Sequence, residues 1–104
     1  VKELKKLIDK KEDFILIDIR EEFEQQLCKL NNAIMISFTE SIKNNLSFFD
    51  NLDKNKKIVL YCHTGQRSSY TLNILKKKGF TNLKNLVGGI DAWAKEIDQE
   101  ITIY

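Results

Sequence analysis

The chain has 104 residues, 42% of them hydrophobic, and its 17 Lys and Arg nearly balance 15 Asp and Glu for a net charge of +2. That length allows one modest core, so residues 1–104 read as a single domain. It lacks the basic stripe interleaved with aromatics that nucleic-acid binding calls for, and any apolar run near the roughly 20 residues of a membrane span.

The expectation is a soluble, monomeric, cytoplasmic protein with no nucleic-acid or membrane partner. Export stays open, because the chain begins at Val1 rather than Met. Two cysteines, Cys28 and Cys62, are too few for a disulfide framework. One histidine and two distant cysteines also make a poor metal-ligand set, and no cofactor motif is present.

Hydrophobic periods give the organisation in chain order. Leu4, Leu7 and Ile8 fall at helical spacing, with lysines on the other side. The run FILIDI (14–19) suits a strand buried on both faces. A short helical pattern returns through Phe23 and Leu27, and AIMI (33–36) reads as another buried strand. Ser37 or Thr39 then caps a helix with Ile42, Leu46 and Phe49 on its apolar face.

KIVLYC (57–62) is the clearest strand. From Arg67 a helix runs through Leu72 and Leu75 to Gly79, a left-handed cap, and Lys76, Lys77 and Lys78 suit its negative end. LKNLV (83–87) is a further strand, Gly88-Gly89 a tight turn, and Ile90, Trp93, Ala94 and Ile97 line the last helix. The tail EITIY (100–104) fits an edge strand or a surface strap. Apolar strands alternating with amphipathic helices predict an α/β fold, a parallel sheet between helix layers.

In such a fold the loops at the carboxyl ends of the strands form the binding crevice, and Cys62 sits at that end of KIVLYC. His63, Thr64, Gly65 and Gln66 must bend sharply before the helix starts near Arg67 and Ser68. A bend that tight turns successive amides inward, and the helix start adds unpaired N–H groups with the positive end of its dipole. Gly65 supplies the backbone freedom. Such surroundings lower a cysteine pKa from about 8.5 to roughly 3.5–7.5, which makes a nucleophile at neutral pH. An inert core cysteine beside an ordinary turn is the competing reading. His63 is expected on the pocket wall rather than as a base.

Three segments carry a resemblance: LIDIREEFE (16–24), CHTGQRS (62–68) and LVGGIDAW (86–93). In this order and spacing they resemble the rhodanese (sulfurtransferase) family. The resemblance implies a three-layer α/β/α fold with a mostly parallel five-stranded sheet, its first strand here missing or reduced to Val1. It also implies that Cys62 attacks the outer sulfur of a small anionic donor such as thiosulfate, expels sulfite, and passes the sulfur to cyanide, a thiol or a protein acceptor. Residues 63–68 match the loop that holds the persulfide, and Asp18 and Arg20 match bracing residues near it.

The family's Gly-His-Ile-Pro-Gly-Ala segment is replaced here by CKLNNA (28–33), which removes any role borrowed from that histidine. Two rival readings are a non-catalytic or sulfur-carrier module and a cysteine-loop phosphatase. The phosphatase loop places five residues between Cys and Arg, whereas four separate Cys62 from Arg67. The shorter ring suits a single added sulfur atom.

Overall fold

The computed structural model describes residues 2–10, 13–101 and 103. Its elements are α1 (Lys2–Asp9), β1 (Ile15–Asp18), α2 (Glu22–Leu27), β2 (Ile34–Met35), α3 (Phe38–Lys43), a 3-10 segment (Ser47–Asn51), β3 (Ile58–Tyr61), α4 (Gln66–Lys77), β4 (Leu83–Asn85) and α5 (Gly89–Glu96). The strands form one parallel sheet in the order β2-β1-β3-β4, with Leu16 opposite Val59 and Leu60 opposite Asn85.

Alternate residues of β1 and β3 feed two cores, as the period of two in a strand requires. Leu16, Val59 and Tyr61 meet Leu4 of α1 and Ile90 and Trp93 of α5. Ile17, Ile58 and Leu60 meet Leu46, Phe49 and the α4 residues Leu72 and Leu75. Both faces of the central strands are therefore dry, which explains their unbroken apolar runs. The chain goes from β1 out to β2, then returns past β1 to β3, so the order reverses between β1 and β3. In open α/β sheets ligands bind outside the carboxyl ends of the strands at such a reversal; Asp18 ends β1 and Cys62 follows β3 at that end, both buried.

Four strands are present among the described residues. The possible first strand at Val1 falls outside them, as do Thr102 and Tyr104 of the tail, while Glu100, Ile101 and Ile103 join no strand. Several elements differ from the sequence reading. AIMI gives only the two residues of β2, and Ile34 and Met35 are exposed because β2 is a sheet edge. α3 stops at Lys43, so Ile42 is exposed while Leu46 and Phe49 reach the core from a left-handed residue and the 3-10 segment that follows it. Ser37 is its cap, accepting from Glu40 N at 3.3 Å.

α2 is reversed from expectation: Phe23 is 67% exposed and Leu27 52%, while Glu24 points inward and is buried. β4 ends at Asn85, leaving Val87 on the surface. α4 starts one residue early, at Gln66. Gly79 follows its end at φ +100°, as expected of a left-handed cap. Among the described residues no helix is long and apolar enough to cross a membrane.

Candidate active site

Cys62 lies one residue beyond β3, buried, with the bend His63–Gly65 between it and α4. α4 opens on Gly65, which has no side chain to accept the first-turn amides of the helix. The sulfur of Cys62 takes that place. Its Sγ accepts from Gly65 N at 3.1 Å, and from Ser68 N and Ser68 Oγ at 3.5 Å each. The geometry needs Gly65 at φ +109°, a region that side chains with a Cβ rarely enter.

Burial alone would push the Cys62 thiol upward. The hydrogen bonds from the Ser68 hydroxyl and from the amides of Ser68, Gly65 and Arg67 outweigh it and hold the thiol below its ordinary value. The donors converge on the sulfur, so a bare hydrocarbon setting for Cys62 does not describe this loop.

The remaining loop side chains point elsewhere. Thr64 and Gln66 are exposed. His63 turns toward α5, with Nε2 3.9 Å from Asp91 Oδ1. The Arg67 guanidinium grips Glu24 of α2 in a two-pronged pair, Nη1 to Oε1 at 2.5 Å and Nη2 to Oε2 at 2.7 Å. Its backbone therefore serves the sulfur while its side chain ties the loop to α2, and this pair is what turns Glu24 inward. The single Ser68 hydroxyl proton is shared with Asn85 Oδ1, 2.5 Å from Oγ, and Asn85 Nδ2 donates to Gly65 O at 3.2 Å.

Asp18 and Arg20 form a fully buried pair at 2.8 Å, not a surface one. The Arg20 guanidinium also donates to the carbonyls of Cys28 (2.5 Å) and Glu24 (3.3 Å), and lies 3.8 Å from Cys28 Sγ. Tyr61 donates its hydroxyl to Asp18 at 2.8 Å and accepts from Leu30 N at 3.1 Å. Burial and the neighbouring Asp18 charge raise the Tyr61 phenol well above its usual range. The network thus fastens CKLNNA to the residue before Cys62. Asn32, where the resemblance has a second glycine, adopts φ 65°, a conformation asparagine tolerates. Cys28 and Cys62 are both free thiols.

Sequence reasoning missed Glu24 and Asn85. Asn85 had a signal, since it ends a parallel strand on the crevice side. Glu24 had none beyond an acidic run.

A model of the rhodanese-like domain matches residues 1–96. The chain belongs to the rhodanese-like domain family. Among rhodanese-like proteins of known structure, it resembles a rhodanese-like domain protein from Staphylococcus aureus (27% identity, TM-score 0.76, 92% of this chain and 89% of that one). A rhodanese-related protein from Thermoplasma volcanium is similar at 27% identity and a TM-score of 0.72, covering 88% and 86% of the two chains.

The probable adenylyltransferase/sulfurtransferase MoeZ of Mycobacterium tuberculosis is 34% identical over 103 residues, 99% of this chain and 26% of its own length. The adenylyltransferase and sulfurtransferase UBA4 of Debaryomyces hansenii is 34% identical over 98 residues, 89% of this chain and 22% of its own length. The chain thus spans about a quarter of the length of the curated relatives it matches.

Proposed function

We propose that this rhodanese-like domain is a sulfurtransferase in which Cys62 carries the sulfur. The observation that carries the reading is the set of donors converging on Cys62 Sγ from Gly65 and Ser68. A thiolate held in that ring attacks the outer sulfur of a donor such as thiosulfate. The sulfur–sulfur bond of the donor breaks, its electron pair leaves on sulfite, and a new S–S bond leaves Cys62 as a persulfide anion. The same amides that hold the thiolate offset the charge of the persulfide. An acceptor nucleophile, cyanide or a thiol, then takes the outer sulfur, and the Cys62 thiolate is restored. No proton need be moved by His63, whose ring faces Asp91.

The sulfurtransferase part of the relatives' names supports transfer of sulfur, and the four-residue spacing between Cys62 and Arg67 speaks against a cysteine-loop phosphatase. Phe23, next to Glu24 in sequence, and Tyr70, three residues after Arg67, are both exposed and offer apolar surface to a protein acceptor. The test is thiocyanate formation from thiosulfate and cyanide by the wild type and Cys62→Ser. Turnover that vanishes in the variant supports the reading. Phosphate-ester hydrolysis that vanishes in the same variant refutes it.

A further inference from the structure

The bend that carries the sulfur cradle is held from outside as well as from within. Cys62 O accepts from Ile90 N at 2.9 Å, and His63 O accepts from Asp91 N at 3.0 Å. Both donors belong to the first turn of α5, whose amides have no partner inside the helix. Together they fix the first two peptide planes of the loop. The Gly65 amide, 3.1 Å from Sγ, is then free to swing only about the two dihedrals of Thr64.

This approach of α5 depends on one missing side chain. A Cβ on Gly89 would lie 2.4 Å from the carbonyl oxygens of both Cys62 and His63, and 2.6 Å from His63 C, at a backbone φ of +61°. Those are contacts with main chain, which cannot step aside as a flexible side chain would. The glycine pair is therefore more than a tight turn.

We propose that the first turn of α5 is an outer clamp on the Cys62 loop, with Gly89 as the positioning residue that lets Ile90 N and Asp91 N capture the carbonyls of Cys62 and His63. The clamp acts through the loop backbone and touches no substrate. It rests on the reading of Cys62 as the ionised sulfur carrier. Loss of the clamp lets the bend relax, so the donors move off Sγ and the thiol becomes less acidic.

The test is the pH profile of iodoacetamide alkylation at Cys62, followed on the Cys62 peptide by mass, in the full chain. Gly89→Ala is compared with wild type and with Gly79→Ala. Gly79 sits at φ +100° with Lys54 Cδ at 3.9 Å as the nearest atom to an added Cβ, so it bears left-handed strain without a clash. Gly89→Ala is expected to move the midpoint upward, with about tenfold less thiolate below both midpoints for each unit moved, and to slow sulfur loading there in proportion. Gly79→Ala keeps the wild-type midpoint.

A folded Gly89→Ala with the wild-type midpoint overturns the clamp and leaves the sulfurtransferase reading standing. A wild-type midpoint at the free-cysteine value overturns both. Should Gly89→Ala fail to fold, an α-hydroxy acid in place of Ile90, introduced by joining synthetic segments at Cys62, deletes the donor and keeps the side chain. The same upward move is then expected, and an unchanged midpoint overturns the clamp.

Discussion

Ser68→Ala isolates one donor to the Cys62 sulfur without touching the backbone ring. The Ser68 hydroxyl has a single proton, and its oxygen stands 2.5 Å from Asn85 Oδ1, 3.2 Å from Gly65 O and 3.5 Å from Sγ. Hydrogen bonds to charged groups contribute about 1.5–3 kcal/mol. A long, shared one to sulfur falls just below that range, about 1.4 kcal/mol, or one pKa unit.

Below both midpoints the variant should hold about tenfold less thiolate, and alkylation of the Cys62 peptide should slow by that factor. The sign carries over to stability. The folded thiol titrates below its unfolded value, so its contribution is fully present above the unfolded pKa and disappears as pH falls through the folded one. The unfolding free-energy gap between wild type and Ser68→Ala should therefore widen as pH rises through that window. Loss of the Asn85 partner adds an offset that does not depend on pH. A variant with the wild-type alkylation midpoint would refute the assignment of Ser68 as a thiolate donor.

Asp18→Ala leaves the buried Arg20 guanidinium without its carboxylate and should cost about 3–5 kcal/mol in urea unfolding, where a surface pair would cost under about 1. Phe23→Ser should change stability by less than about 0.5 kcal/mol because Phe23 is on the surface, whereas Phe49→Ala should cost about 3–5. Glu21 is pushed upward by burial, but hydrogen bonds from Ser37 and Thr39, with the Arg67 charge, leave it below its ordinary value. Its contribution is present above the ordinary carboxylate range and lost as pH falls through the lowered value, so Ser37→Ala should shrink the acid-side loss of stability in a pH series of thermal melts.

The parts legible in the sequence are those whose physics is local. β1 and β3 are dry on both faces, so their composition alone marks them, and Gly65 and Gly79 announce backbone that side chains avoid. Cys62 stands out because a strand end, a glycine and a helix start meet within seven residues. What the sequence hid depends on partners far along the chain. α2 has six residues, too few for a reliable period, and its facing is set by Arg67, 43 positions from Glu24. β2 is two residues long, and its apolar side chains were no guide to burial at a sheet edge. Leu46 and Phe49 were placed in the core correctly, but on a helix that breaks at Asn44. Asn85 acts through a carbonyl and a hydroxyl on the loop, contacts that no spacing rule encodes.

The most direct measurement is the intact mass of the protein after exposure to thiosulfate or a persulfide donor, with the modified residue located by peptide mapping. The expected result is a gain of one sulfur atom on Cys62, not on Cys28, reversed by cyanide. A protein that gains no sulfur from any donor, while its Cys62 still alkylates as an acidic thiol, would contradict the account.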